Sequence, residues 1–128
     1  MLNLKNDEDK PQNQRAWVRE EMVLLVAEYF RTKNLDIREK KKSIQSISKI
    51  LRNRALVNGE DVSEIYRNEN GIQMQLACII KYDPDRICNG ESGGLSGGGK
   101  LMRQVVEDYV ANPYSIKAEA YDVIMKYY

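Results

Sequence analysis

The sequence predicts an all-α protein: a single compact domain of about five helices, with a glycine-rich loop before the last two. Three observations carry this reading. Apolar residues recur at steps of three and four, as in Ile72, Leu76 and Ile79 or Ile116, Ala120, Val123 and Tyr127, which places them on one face of a helix. The windows are separated by helix punctuation, Asn34-Leu35-Asp36, Asn58-Gly59, Asp83-Pro84 and Asn112-Pro113, where short polar side chains cap a helix or proline bars its continuation. The chain of 128 residues, 42% hydrophobic and 30% charged, has the size and composition of one globular domain.

The elements follow in order. Residues 1–13 are polar and charged and read as a flexible N-terminal segment, leaving 14–128 as the helical domain. Met1 to Lys10 lacks the apolar core of a signal peptide and no apolar run approaches the ~20 residues of a membrane span, so a cytoplasmic, non-membrane protein is expected. The first helix is expected from Asn13 or Gln14 to about Lys33. Trp17, Val18, Met22, Val23, Leu24, Leu25, Val26, Ala27 and Phe30 cover most of its circumference, and Arg19, Glu20, Glu28 and Arg31 form its solvent strip. Trp17 is read as core rather than as a platform for stacking a base.

Asp36 should cap a second helix from Ile37 to about Ala55 with an apolar stripe of Ile37, Ile44, Ile47, Ile50 and Leu51. This helix also holds Arg38, Lys40, Lys41, Lys42, Lys49, Arg52 and Arg54, the densest basic run in the chain. Such a run either contacts phosphates or is a solvated face with local ion pairs. Val62 to Tyr66 is expected as a short helical piece. It feeds the stretch around which the chain is expected to be organised, a turn at Asn68-Glu69-Asn70-Gly71 opening into a largely buried helix that begins near Asn70 and runs to Lys81. Asn68 and Asn70 are capping residues, and with Arg67 they stand where unpaired first-turn N–H groups can hold an anion.

After Pro84 a loop is expected to Gly99, with six of the eight glycines between Gly90 and Gly99. Gly94 to Lys100 fits Gly-x-x-x-x-Gly-Lys, but Leu101 stands where a magnesium-binding Ser or Thr is required and no strand precedes it, so nucleotide hydrolysis is not expected. Lys100, at the start of the next helix, is a candidate phosphate contact. That helix should end by Asn112 and the last should run from Tyr114 to Tyr128.

Composition narrows function further. Twenty basic and nineteen acidic residues give a net charge of +1, so a binding surface must come from segregated charge. There is no histidine, hence no base for a Ser or Cys nucleophile and, without a Cys-x-x-Cys pair, no expected zinc site. Cys78 and Cys88 are expected as free thiols. Neither a catalytic residue nor a cofactor is expected.

The segment Tyr66-Arg67-Asn68-Glu69-Asn70-Gly71-Ile72-Gln73-Met74-Gln75-Leu76 resembles the Phe-Arg-Asn-Pro-Asn-Gly-Val-x-Met-Lys-Leu box of a helical domain that precedes the nuclease in bacterial HNH-type, restriction-like endonucleases. Arg15-Ala16-Trp17-Val18-Arg19-Glu20-Glu21 resembles that domain's opening Arg-Ala-Trp-Thr-x-Glu-Glu, and Ser46 to Leu51 its Leu-Ser-x-Leu-Leu helix. Glu69 replaces the family's proline and Gln75 its lysine. The resemblance implies a non-catalytic DNA-recognition module of a phage or bacterial defence or restriction-related system, with the nuclease absent. Lys40, Lys41, Lys42, Arg52, Arg54, Arg67, Asn68, Asn70 and Lys100 are its expected nucleic-acid contacts. The alternative is a protein-interaction module or inhibitor acting on a defence enzyme, of the anti-restriction or anti-CRISPR type.

Overall fold

A computed structural model describes residues 15–88 and 99–128, without the side chains of Ile87 and Cys88. The helices are α1 (Arg19–Thr32), α2 (Ile37–Val57), α3 (Glu69–Ile79), α4 (Pro84–Cys88), α5 (Gly99–Ala111) and α6 (Pro113–Tyr127), with a 3₁₀ turn at Ile80–Tyr82 after α3. There is no strand among the described residues. The all-α expectation holds. The expected flexible segment lies outside the described residues, as does the glycine-rich loop apart from Gly99 and Lys100.

The organising element is α1, not α3. Every residue from Met22 to Ala27 is buried, and α1 packs against α2, α3, α5 and α6. A helix apolar around its whole circumference has to be surrounded. By contrast α3 buries only Ile72, Cys78 and Ile79, and Met74 is 59% exposed, so it closes one side of the bundle. Phe30 stacks on Tyr109 with centroids 4.3 Å apart, joining α1 to α5. The buried Cys78 is a free thiol.

Boundaries depart from the sequence reading where caps compete with apolar pattern. Rather than near Asn13, α1 begins at Arg19, because Glu21 in its first turn accepts the Val18 N–H at 3.1 Å, the reciprocal half of a capping box. Trp17 therefore precedes the helix. Asp36 caps α2 as expected, accepting the Glu39 N–H at 2.9 Å, but Ile37 is 83% exposed rather than in the stripe. Residues 64–67 form turns instead of a short helix. Asn68 caps α3 by accepting the Gly71 N–H at 2.8 Å, so the helix starts at Glu69 rather than Asn70. A Cβ at Gly71 would stand 3.2 Å from that Asn68 Oδ1, a close approach that suits glycine. Within the expected loop, Pro84 begins α4, with the Asp83 carboxylate accepting the Asp85 N–H at 3.0 Å; proline is pre-set for a first helical position. Asn112 caps α6 through the Ser115 N–H at 3.4 Å.

Candidate functional site

The three sequence segments that carry the resemblance meet at Arg67. Its Nε donates to Glu21 Oε2 at 2.7 Å and its Nη2 to Glu21 Oε1 at 3.1 Å, while Nη2 also donates to the carbonyls of Arg15 and Ala16 at 3.2 Å. The guanidinium lies 4.3 Å from the Trp17 ring centroid and 4.8 Å from that of Tyr66. From α2, Ser48 Oγ donates to the Arg67 carbonyl at 2.7 Å. Arg67 is 4% exposed and Glu21 1%, and Arg67 holds a left-handed φ of 46°, which a non-glycine residue adopts only where its surroundings enforce it. The expected phosphate contact at Arg67 is thus turned inward: its Nε and Nη2 donors are committed inside the protein and its charge is paired with Glu21.

Two further arginines are corrected for the same reason. Arg52 Nη1 donates to the carbonyls of Ser63 at 2.8 Å and Tyr66 at 2.6 Å, tying α2 to the turn before α3. Arg54 Nε donates to Glu20 Oε1 at 2.8 Å, with 17% of its side chain exposed. These carbonyl and carboxylate oxygens occupy Arg52 Nη1 and Arg54 Nε. The Asn68 carbonyl oxygen is likewise spent on its cap.

Three of the remaining expected residues share one groove. A groove of 480 Å³ runs between the first half of α2 and α3, and Lys40, Lys41 and Asn70 all line it. The side chains of Lys40, Lys41 and Asn70 have no hydrogen-bond or ion-pair partner among the described residues. Lys42 is exposed, pairs with Glu39 at 3.6 Å, and does not line the groove; Lys100 is exposed on the first turn of α5, away from it. Glu69 opposes the lysines, held at the α3 start where a carboxylate suits the helix dipole.

At one end of the groove lies a polar network that the sequence does not signal. Asp83 is fully buried and accepts the Tyr29 hydroxyl at 2.7 Å and Lys33 Nζ at 3.1 Å, and Lys33 also bridges to Asp85 at 2.7 Å. Burial by itself would raise the Asp83 pKa, but the Tyr29 and Lys33 hydrogen bonds outweigh it and hold the carboxyl below its ordinary value. Burial would likewise lower the Lys33 pKa, and Asp85 and Asp83 reverse that. Tyr29 is pushed above the ordinary phenol range by burial and by Asp83. Tyr29, Lys33 and Arg86 all line the groove, so the network fixes that end.

A second cavity of 380 Å³ sits on the other side of the α3 start, lined by Trp17, Ile65, Arg67, Asn68, Asn70, Gly71, Met74 and Gln75. Asn70 borders both cavities. Among the described residues there is no cluster of His, Cys, Asp and Glu side chains able to hold a metal ion, and no helix is long and apolar enough to cross a membrane. No family model, curated protein or solved structure matches this chain.

Proposed function

We propose that this chain is a non-catalytic DNA-recognition module of a phage or bacterial defence or restriction-related system, and that Lys40 and Lys41 on α2 are its main phosphate contacts. The observation that carries the reading is the groove itself: two lysines without an acidic partner among the described residues face the amide of Asn70 across it. Lysines in the first turns of a helix work against its dipole, so leaving them unneutralised costs stability that a bound polyanion would offset. The resemblance of residues 66–76 to the box beside HNH nucleases points the same way. With Arg52, Arg54 and Arg67 committed internally, the contact set contracts to Lys40, Lys41, Asn70 and the more distant Lys42 and Lys100.

The test is fluorescence anisotropy with labelled duplex DNA, unmodified and cytosine-modified, over a salt series. Binding should weaken linearly on a log–log scale, and a Lys40→Ala/Lys41→Ala variant should lower the magnitude of the slope by about 1.8, at about 0.9 per phosphate contact. Absence of binding at low salt sinks the proposal.

A second reading has its own observation. The groove floor is apolar, made by Ile44, Leu76, Ala77 and Ile80 with the exposed Ile37 at one end, which also suits an amphipathic helix of a protein partner carrying acidic residues toward the lysines. Failure to bind DNA, together with saturable binding of such a helix that Ile44→Glu abolishes, would establish it instead.

A further inference from the structure

We infer that the cavity on the Trp17 side of the α3 start is a pocket for one unpaired nucleobase, presented by the same nucleic acid whose phosphates lie on Lys40 and Lys41. This rests on the recognition reading above and adds to it a site for the base.

The lining is the first argument. Apart from Arg67, whose charge is neutralised by Glu21, every lining side chain is uncharged, so the pocket offers nothing to a phosphate. It offers a tryptophan, two exposed apolar side chains, Ile65 at 51% and Met74 at 59%, and the amides of Asn68, Asn70 and Gln75. A planar, neutral ligand rich in hydrogen-bonding groups matches that set. Bases are read in this way, by stacking on aromatic faces and by donor and acceptor pairs at their edges.

The state of the amides is the second. Asn70 and Gln75 have no hydrogen-bond partner among the described residues, and Asn68 uses only its oxygen, leaving its NH₂ to donate. An amide carries a donor and an acceptor side by side, the pair that meets a base edge. The platform is also rigid. Trp17 is partly buried against the core, and the Arg67 guanidinium at 4.3 Å, held by Glu21, keeps its ring in place.

Position is the third. Asn70 borders both the lysine groove and this pocket, so one nucleotide can leave its phosphates on the lysine side and place its base beside Trp17. A volume of 380 Å³ falls in the range of small-ligand pockets. A base inside a duplex cannot reach such a pocket without leaving the stack, so the ligand is a single strand or a duplex with an unpaired or flipped nucleotide.

Trp17 is the only tryptophan in the chain, so its fluorescence reports on this pocket alone. The whole protein would be titrated with three oligonucleotides of equal length: a fully paired duplex, the same duplex with one unpaired adenine, and that duplex with an abasic site in place of the adenine. Anisotropy of the labelled DNA gives binding, and Trp17 quenching gives pocket occupancy. The unpaired-base duplex should bind at least fivefold more tightly than the other two and alone should quench Trp17, since stacking one base contributes about 1–3 kcal/mol. Gln75→Ala, at a position that lines this pocket and not the lysine groove, should reduce the preference while keeping the affinity for paired duplex. Lys40→Ala/Lys41→Ala should weaken all three DNAs by the same factor and keep the preference.

Salt-dependent binding of all three with equal affinity and without quenching would overturn the base pocket and leave the recognition module standing. No binding of any of the three would overturn both.

Discussion

Replacing Arg67 by methionine tests whether the meeting point of the three segments holds the fold together. The side chains of Arg67 and Glu21 are 3% and 2% exposed, so solvent does not screen the pair. Removing the arginine strands the Glu21 carboxylate, leaves the carbonyls of Arg15 and Ala16 without their donor, and strips the cation from between Trp17 and Tyr66. Breaking one partner of a buried ion pair costs about 3–5 kcal/mol. Methionine inherits the same left-handed backbone, so strain cancels in the comparison. Small domains have ~5–15 kcal/mol of stability in all, so Arg67→Met should lose roughly a fifth or more of it. The melting temperature should fall by roughly 10–20 °C at about 3–5 °C per kcal/mol for this size.

The assay is urea denaturation followed by far-ultraviolet circular dichroism, read as a shift in midpoint at constant slope. The double variant Glu21→Gln/Arg67→Met removes both charges and keeps an acceptor for the Val18 N–H. It should be less destabilised than the sum of its single variants by roughly 1–3 kcal/mol. A loss under about 1 kcal/mol for Arg67→Met, or strict additivity, would refute the account of this cluster.

Acid should act through Asp83. Its pKa is depressed in the folded protein below the ordinary 3.8, so its contribution is complete above that value and is lost as the pH falls through the folded pKa. Urea midpoints measured downward from pH 5 should drop less in Asp83→Asn than in the unaltered protein, and an equal acid slope in both would contradict the assignment. Asn68→Ala should cost about 1 kcal/mol by deleting the α3 cap. Because the cap carries Asn70 between the two cavities, the loss should also appear as faster amide exchange at Gly71, which unchanged exchange would disprove.

The sequence by itself determined the class of fold and most of its joints. Asp36, Asn112 and Pro113 act locally, through a hydrogen bond to the next turn or a fixed backbone angle, so the starts of α2 and α6 need no knowledge of distant residues. The circumferential apolar pattern of Met22 to Ala27 already marked α1 as a helix to be surrounded. The expectation that α3 would be the hub came from its local apolar density, and that measure cannot tell which neighbours are present to cover Met74 or Leu76.

Only the tertiary structure decided which cations are free. Arg52, Arg54 and Arg67 look like Lys40 and Lys41 in a list of charges. Their guanidiniums find carbonyls or carboxylates at positions 63, 66, 20 and 21, between 11 and 46 residues away. A charge alternates between ligand site and internal strut according to whether such a partner arrives in space. Chain separation hides that partner, and the same separation hid the buried Glu21, the Asp83 network and the cavity beside the partly buried Trp17.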